Sequence, residues 1–201
     1  MGRTELHQEC RYMTQARLDT DVDLEADSWA FALRVYGRPQ VADGCLRLQD
    51  ETGVDVMMLL IIAFAAVRHH VLLTTSEIRE FDEACRPWRE QIVQPLRAIR
   101  RRLKNGPLPA PSGETEAFRS TIKAAELAAE RLQNQLLAEH LRLRPPERDL
   151  VTPQDLRSVL SRVVTLALAN CGREQTPDLQ VLIDVIVDAA MQDTRCTSGA
   201  Q

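Results

Sequence analysis

Aromatic residues are scarce in this 201-residue sequence, at only 4% of the chain, while Leu, Ala, Arg, Glu and Gln abound. Unbranched side chains favour helices because they lose little rotamer freedom there. A scarcity of aromatic residues disfavours a sheet, which depends on aromatic and β-branched cross-strand pairs. The composition therefore predicts an all-α protein, a helical bundle large enough to bury a sizeable core.

Motifs of common enzyme classes are also absent. The sequence has no GxSxG, GxxxxGK[ST] or GxGxxG, the signatures of a serine hydrolase, a P-loop and a dinucleotide site. No histidine follows a Glu by three residues, as a di-iron helical bundle requires. We therefore expect no catalytic residue, cofactor or metal site, and a protein that is not an enzyme. A weaker enzyme hypothesis uses His69 or His70 with Asp55 or Glu77, in a cleft at the ends of the central helix.

Export and membrane signals are missing too. The N-terminus lacks an apolar signal segment, and no apolar run approaches the roughly 20 residues of a transmembrane helix. Five scattered cysteines contain no CxxC pair, and we interpret them as free thiols in a reducing compartment. We expect a cytoplasmic protein without a membrane partner.

The longest apolar run, Val56 to Val67, contains no polar side chain. A helix of this length spans about 18 Å, well short of the ~30 Å bilayer core. Because a helix that is apolar all round must be covered on every side, we predict that it is the buried central helix of the bundle, with Asp55 as its N-cap.

Two shorter helices are predicted before the central one. The first covers residues 29–36, with Ser28 or Asp27 as N-cap, and the second runs from Pro39 at its first position to Gly53. Three residues of the first helix share one face at i, i+4 and i+7, and we expect this face in the core: Trp29, Leu33 and Tyr36.

A capping box of Thr74 and Glu77 predicts the start of a long helical stretch that reaches Lys104. We expect a break at Pro87 and a kink before Pro95, because proline lacks the N–H of the helical ladder. The predicted apolar seam of this stretch is Ile78, Phe81, Cys85, Trp88, Ile92, Leu96, Ile99 and Leu103.

A proline-rich linker at 105–113 precedes a second long helix, predicted from Glu114 to about Leu143. Its apolar seam is narrow and suits one packing partner, either the body of the domain or a second copy of the same helix. The seam residues are Phe118, Ile122, Ala125, Ala129, Leu132 and Leu136. Residues 27–143 then form the helical core domain.

Two helices that each begin with Thr-Pro predict a C-terminal helical hairpin over residues 150–192, since Thr is a good N-cap and proline suits the first helical position. The two ends of the chain are predicted to lie outside the bundle. Residues 1–26 are expected to be a flexible acidic leader and residues 193–201 a disordered tail.

One charged cluster stands out, since positions 86–104 hold seven basic residues and a single acid. Four of the basic residues fall on one helix face, and this basic stripe is the predicted partner-binding site: Arg97, Arg100, Arg101 and Lys104. Like charges on one face repel unless something negative compensates them. The candidates are acids of this chain (the helix with Glu114, Glu116, Glu126 and Glu130, or the leader), an acidic protein, or a phosphate backbone.

Several short stretches between residues 28 and 140 together carry a resemblance to a known family: 28–50, 53–56, 59–60, 87–89, Val93, 95–97, 100–101 and 103–104. They resemble a proteobacterial family of short proteins known only as a domain of unknown function. The resemblance implies a helical bacterial cytoplasmic protein and assigns no activity, cofactor or catalytic residue.

The leading hypothesis is a non-enzymatic protein-interaction or regulatory protein that acts through the basic stripe and the seam of the second long helix, with a protein partner or a second copy of itself. The alternative is nucleic-acid binding through the Arg97–Lys104 basic helix. It is less favoured because the stripe lacks interleaved aromatic residues and the chain of charge −4 lacks a known DNA-binding motif.

Overall fold

The computed structural model describes residues 24–145, 150–170, 172, 174 and 176–193. Within these residues every regular element is helical, which confirms the all-α prediction. The elements are α1 (24–36), α2 (Val41–Thr52), α3 (Val56–His69), α4 (Thr75–Trp88), a π-helical turn (Arg89–Val93), α5 (Gln94–Asn105), α6 (Gly113–His140), α7 (Pro153–Asn170) and α8 (Pro177–Asp193).

The central helix is α3, as predicted. Its residues from Met58 to Val67 are all buried, and α6, α7 and α8 pack around it. Asp55 caps it by accepting hydrogen bonds from the N–H groups of Met57 and Met58, and His70 ends it in the left-handed conformation at φ 56°. None of the helices in the described ranges is long and apolar enough to cross a membrane.

Helix α1 differs from the prediction at its start and in the face it buries. It already includes Leu24, so Ser28 lies inside the helix, where its hydroxyl donates to the Glu25 carbonyl oxygen. The apolar residues that it buries are Leu24, Phe31, Ala32 and Val35, and Phe31 packs edge-on against Phe64 of α3. The face predicted for the core is only partly buried. Trp29 and Tyr36 are half-buried, whereas Leu33 is 53% exposed, because the buried face is rotated around the helix from the predicted one. Residues 1–23 of the predicted leader lie outside the described residues.

The second helix begins at Val41, two residues after the predicted start at Pro39. Gln40 takes a left-handed conformation at φ 67° and serves as N-cap, so Pro39 belongs to the preceding turn. Gly53 ends the helix at φ 72°, a conformation that glycine adopts without strain.

Helix α4 confirms the capping box of Thr74 and Glu77, but it does not break at Pro87. It runs on to Trp88, and a π-helical turn then leads into α5, with the Gln94 N–H donating to the Arg89 carbonyl five residues earlier. The wider turn lets the helical path pass both prolines. It also shifts the buried face, so that Val93 is buried while Ile92 and Ile99 are 38% and 43% exposed.

The predicted seam of α6 packs only partly on the body of the domain. Phe118 and Leu132 are each 52% exposed, Ala129 is buried, and Leu136 is half-buried against the core. A second copy of the helix as the partner of the exposed positions stays a prediction. The residues that face the protein include polar ones, whose hydrogen-bonding groups are satisfied inside. The buried residues of α6 are Glu126, Ala129, Gln133, Asn134, Leu137 and Ala138.

The C-terminal hairpin forms as predicted, with Pro153 and Pro177 at the first positions of α7 and α8. It packs on α2 and α3, so its apolar face belongs to the same core as the central helix. Its largest fully buried side chains are Leu156, Leu160, Ile183 and Ile186. Asp193 is part of α8, and the remainder of the predicted tail lies outside the described residues.

Candidate functional site

The basic stripe lies on α5, which runs antiparallel to α6. Arg97 Nε lies 2.8 Å from Glu126 Oε1, and Arg100 Nη2 lies 3.1 Å from the same oxygen. Arg97 also bonds Glu130. Two members of the stripe therefore face carboxylates of their own chain, and these acids are the C-terminal two of the four named from the sequence.

The other two members lie further out. Arg101 is 49% exposed at its side chain and pairs with Asp50 of α2, with 2.7 Å between Nη2 and Oδ1. Lys104 is exposed near the end of α5. The structure thus divides the stripe into an inner pair held by α6 and an outer pair that solvent reaches.

Electrostatics distinguish the two α6 carboxylates. Burial acts to raise the pKa of Glu126, but hydrogen bonds from Arg100 and Arg97 outweigh it and hold that pKa below its usual value. For Glu130, burial is the largest influence and raises the pKa despite the nearby Arg97. Glu126 is thus the stable anion of the cluster, and Glu130 is the carboxyl that protonates more readily.

Beside this cluster lies a cleft of about 400 Å³, which we call the α1–α6 cleft. Its walls come from α1, α2, the start of α3, the π-helical turn, α5 and α6. Its lining is mostly apolar, and most of its charged residues come from α5 and α6. The lining includes Trp29, Leu33, Tyr36, Leu46, Val56, Met57, Leu60, Arg97, Arg100, Lys123, Glu126, Leu127 and Glu130.

Three leucines at this cleft are more exposed than a packed core allows. Leu33 of α1 is 53% exposed, Leu46 of α2 is 39% exposed and Leu127 of α6 is 51% exposed. They come from three different helices and converge on one concavity. Scattered exposed leucines need no explanation, but several that line one cleft are typical of a binding surface.

A polar cluster lies beside the cleft, and three of its residues, Asp55, Arg89 and Gln133, belong to the lining. Asp55 accepts hydrogen bonds from Gln133 of α6 and from Arg89, whose Nη1 lies 3.3 Å from Asp55 Oδ2 and 2.7 Å from Asp82 Oδ1. Every buried side-chain nitrogen or oxygen of the described residues has a hydrogen-bond partner. This cluster therefore holds α3, α4, the π-helical turn and α6 in a fixed arrangement.

The same cluster also borders a second, smaller cleft of about 290 Å³. Asp55, Arg89 and Gln94 line both clefts, and α7 supplies Val163, Leu166, Ala167 and Asn170 to the second one. The C-terminal hairpin therefore contributes to the second cleft and not to the α1–α6 cleft.

The Asp55 pairing of the weaker enzyme hypothesis does not form. Asp55 and His70 cap opposite ends of α3, about 21 Å apart for a 14-residue helix. His69 packs edge-on against Phe64 with 5.0 Å between ring centroids, and burial lowers the pKa of its imidazole. Glu77 pairs with Arg144, and neither cleft is lined by a histidine.

The part of the chain that the structure describes contains no cluster of three or more His, Cys, Asp or Glu side chains able to hold a metal ion. Cys45 and Cys85 are buried free thiols, and burial raises the pKa of each to about 12. The other three cysteines lie outside the described residues.

Sequence reasoning found the stripe but missed the cleft. The exposed Leu33 and Leu127 sit in helices whose inner faces were assigned by apolar periodicity, which cannot tell a core face from a cleft face. Apolar periodicity also places Glu126 and Gln133 on the solvent-facing side of α6, although both are buried. One local signal did point to the site, because the two prolines around the π-helical turn mark the irregularity that places Arg89 inside.

The charge of the α5–α6 region contrasts with that of the chain. Residues 94–130, which we call the cationic hairpin, contain seven basic and four acidic side chains, whereas the whole chain has a formal charge of −4. The cationic hairpin supplies one wall of the α1–α6 cleft. The cleft therefore combines exposed apolar side chains with a wall that belongs to a basic part of the chain.

Comparison with known proteins places these features in a family. No curated protein and no solved structure matches the chain. A family model does match, over residues 27–137, which is more than half of the chain and confirms the resemblance expected over 28–140. This range includes every residue that lines the α1–α6 cleft and excludes α7 and α8. The chain belongs to the family described as "Protein of unknown function (DUF2390)".

Proposed function

We propose that this protein is a non-enzymatic interaction protein that binds a protein partner at the α1–α6 cleft, with the cationic hairpin as the charged border of the binding surface. The observation that carries the proposal is the convergence of Leu33, Leu46 and Leu127, all 39% or more exposed, on one cleft. Burying such side chains stabilises a complex by about 25 cal/mol per Å² of apolar surface.

The charged groups of the cleft support a binding role over a catalytic one. Arg97 and Arg100 are held by Glu126, and Asp55 is held by Arg89 and Gln133. Groups that neutralise one another in fixed pairs suit the positioning of a surface, whereas a general acid or base needs access to a substrate proton. The basic stripe enters the proposal through its outer pair, Arg101 and Lys104.

The test is site-specific photocrosslinking. A benzophenone amino acid replaces Leu127 in one variant and Leu132 in another, and each protein is irradiated in lysate of the source cell. The two leucines lie on the same helix with 51% and 52% exposure, but only Leu127 lines the cleft. We expect a discrete protein adduct from position 127 alone. Equal adducts from both positions, or none from either, would contradict the proposal.

The nucleic-acid alternative is tested in the same experiment. Nuclease treatment before irradiation leaves a protein adduct unchanged but removes one that depends on nucleic acid. Arg101→Gln and Lys104→Gln test the outer pair of the stripe without disturbing the Glu126 cluster, and Arg102→Gln is the control for a protein partner. If the partner is a nucleic acid, its affinity should fall steeply with salt concentration and should depend on Arg101, Arg102 and Lys104 alike.

A further inference from the structure

We propose that the partner segment is an acidic amphipathic helix whose apolar face binds in the α1–α6 cleft. When it binds, one of its carboxylates replaces Asp50 as the ion-pair partner of Arg101. The inference rests on the proposed function and adds the chemistry of the partner. It also assigns a role to an ion pair that contributes little to the fold.

The Arg101–Asp50 pair joins two helices across solvent. Its side chains are 49% and 53% exposed, with 2.7 Å between the nitrogen and oxygen atoms. Arg101 belongs to the cationic hairpin and Asp50 to α2, which carries Leu46 of the cleft. Exposed pairs of this kind contribute little to stability because both ions are well hydrated when separated. Exchanging Asp50 for a carboxylate of the partner is therefore nearly neutral for the protein.

The cleft walls have helical spacing on two sides. Trp29, Leu33 and Tyr36 follow one another at i, i+4 and i+7 on α1, while Lys123, Leu127 and Glu130 do the same on α6. Lining residues of α6 extend from 123 to 133, which corresponds to about 15 Å or three helical turns. A groove of this length suits the apolar face of a helix with anchors at i, i+3, i+4 and i+7.

The exposure of the cleft leucines favours a helix over a small molecule as the occupant of the cleft. Leu33 and Leu127 are both more than half exposed, so part of each side chain stands clear of the cleft floor. A small ligand buried in the cleft would leave that surface in water. A helix laid along the opening covers the leucines and brings its flanks to the rim, where polar contacts surround an apolar centre.

The basic groups of the cationic hairpin favour an acidic helix over a basic one. The inner arginines Arg97 and Arg100 are already bound to Glu126, so they offer little to a partner. Three other basic groups of the cationic hairpin are exposed: Lys123, Arg101 and Lys104. Lys123 lines the cleft, and Arg101 and Lys104 lie beyond its lining, with Arg101 directly after the lining residue Arg100. Carboxylates on the flanks of a bound helix complement these cations, whereas a basic helix would meet like charge.

The experiment measures binding of two synthetic fluorescent peptides by anisotropy with the full-length protein. Both have 18 residues and a leucine stripe at i, i+3, i+4 and i+7; one carries Glu at the remaining positions nearest the stripe, and the other carries Lys there. We expect the Glu peptide alone to bind, more weakly as salt rises. Absence of Glu-peptide binding, or equal binding of the two peptides, would overturn the inference.

Two variants of the ion pair decide whether Arg101 is exchanged. Arg101→Gln removes the cation and weakens Glu-peptide binding, whereas Asp50→Asn removes the competitor and strengthens it, each by about two- to fivefold. A pair that only supports the fold would shift affinity in the same direction in both variants, and that result would overturn the exchange. The control pair is Arg47 and Glu51 of α2, also exposed, whose Gln variants should leave affinity unchanged.

Substitutions at two leucines of α6 test whether the apolar face of the peptide binds in the cleft. Leu127→Asp should abolish Glu-peptide binding, and Leu132→Asp should leave it unchanged, since only Leu127 lines the cleft. Loss of binding in both variants would move the site off the cleft and overturn the inference. If neither peptide binds but position 127 still forms a crosslink, the acidic helix is rejected as the partner. The proposed interaction role is then still supported.

Discussion

Asp193, at the end of α8, ties this helix to α1 and α3. Its carboxylate is almost fully buried and bonds both Arg34 and Arg68, with 2.9 Å between Arg34 Nε and Asp193 Oδ1. Burial acts to raise the pKa of Asp193, but the hydrogen bonds from the two arginines outweigh it and hold the pKa below its usual value. This carboxylate thus adds a polar link to the apolar packing that joins the C-terminal hairpin to the preceding helices.

Asp193→Asn should lower the free energy of unfolding at pH 7 by on the order of 3 kcal/mol, because it removes the buried carboxylate charge that pairs with both Arg34 and Arg68. Since the folded pKa is depressed, the wild-type stabilisation is present above the unfolded pKa of about 3.9 and is lost as pH falls through the folded value. The gap between the two proteins should therefore close in acid.

Urea unfolding followed by circular dichroism from pH 7 down to pH 3 measures this gap. Asp188→Asn, on the same helix but exposed, is the control and should change stability little at any pH. A constant gap across the pH range would show that the carboxylate acts by its shape and not by its charge.

At the scale of the element, α6 is the helix whose packing departs most from its sequence pattern. Apolar periodicity places Phe118 and Leu132 on the packing seam, yet both are 52% exposed within this chain. The inner face instead holds Gln133 and Asn134 beside Leu137. The Gln133 amide donates to Asp55, and the Asn134 amide donates to Ser28 Oγ at 3.1 Å. Because these amides find partners only in the assembled fold, the sequence offered no sign of their burial.

The same substitution at two leucines of α6 tests which face of this helix is buried. Leu137→Ala should lower the free energy of unfolding by about 2–5 kcal/mol, because Leu137 is 1% exposed and its removal leaves a cavity. Leu132→Ala, five residues earlier on the same helix, should change stability by less than about 0.5 kcal/mol. Chemical denaturation of both variants measures the difference. The reverse ranking would support the seam expected from the sequence.

At the scale of the whole molecule, the family match and the core have different extents. The match ends at residue 137, yet α7 and α8 bury Leu156, Leu160, Ile183 and Ile186 in the same core as α3. Without these helices, α2 and the central helix would expose the surface that the hairpin covers. The C-terminal hairpin is therefore part of the folding unit in this chain.

Truncation after residue 149 should abolish cooperative unfolding, because the exposed apolar surface of α3 makes the remaining helices unstable and prone to aggregation. Thermal melts and binding of a hydrophobic dye provide the measurement. The control is truncation after residue 193, which keeps every helix described for this chain. A cooperative melt of the shorter fragment would show that the family-matched region folds by itself.

Local chemistry in the sequence determined much of this fold. The central helix, its Asp55 cap, the Thr74–Glu77 capping box and the two Thr-Pro starts of the C-terminal hairpin are all as predicted, because caps and apolar runs act within one or two helical turns. The predicted basic stripe is real as a charge pattern on α5, and its role in binding a partner stays a prediction.

Tertiary structure alone decided which faces are inside and where the cleft lies. Helices α1 and α6 each have two faces with apolar residues, and the choice between them depends on what α3 and the polar cluster around Asp55 can accept. The division of the stripe into an inner and an outer pair depends on Glu126 and Asp50, which lie 26 and 51 residues from their arginine partners. Contacts at such separations leave no periodic trace in a sequence, because they arise from packing between helices and not from the pattern along one of them.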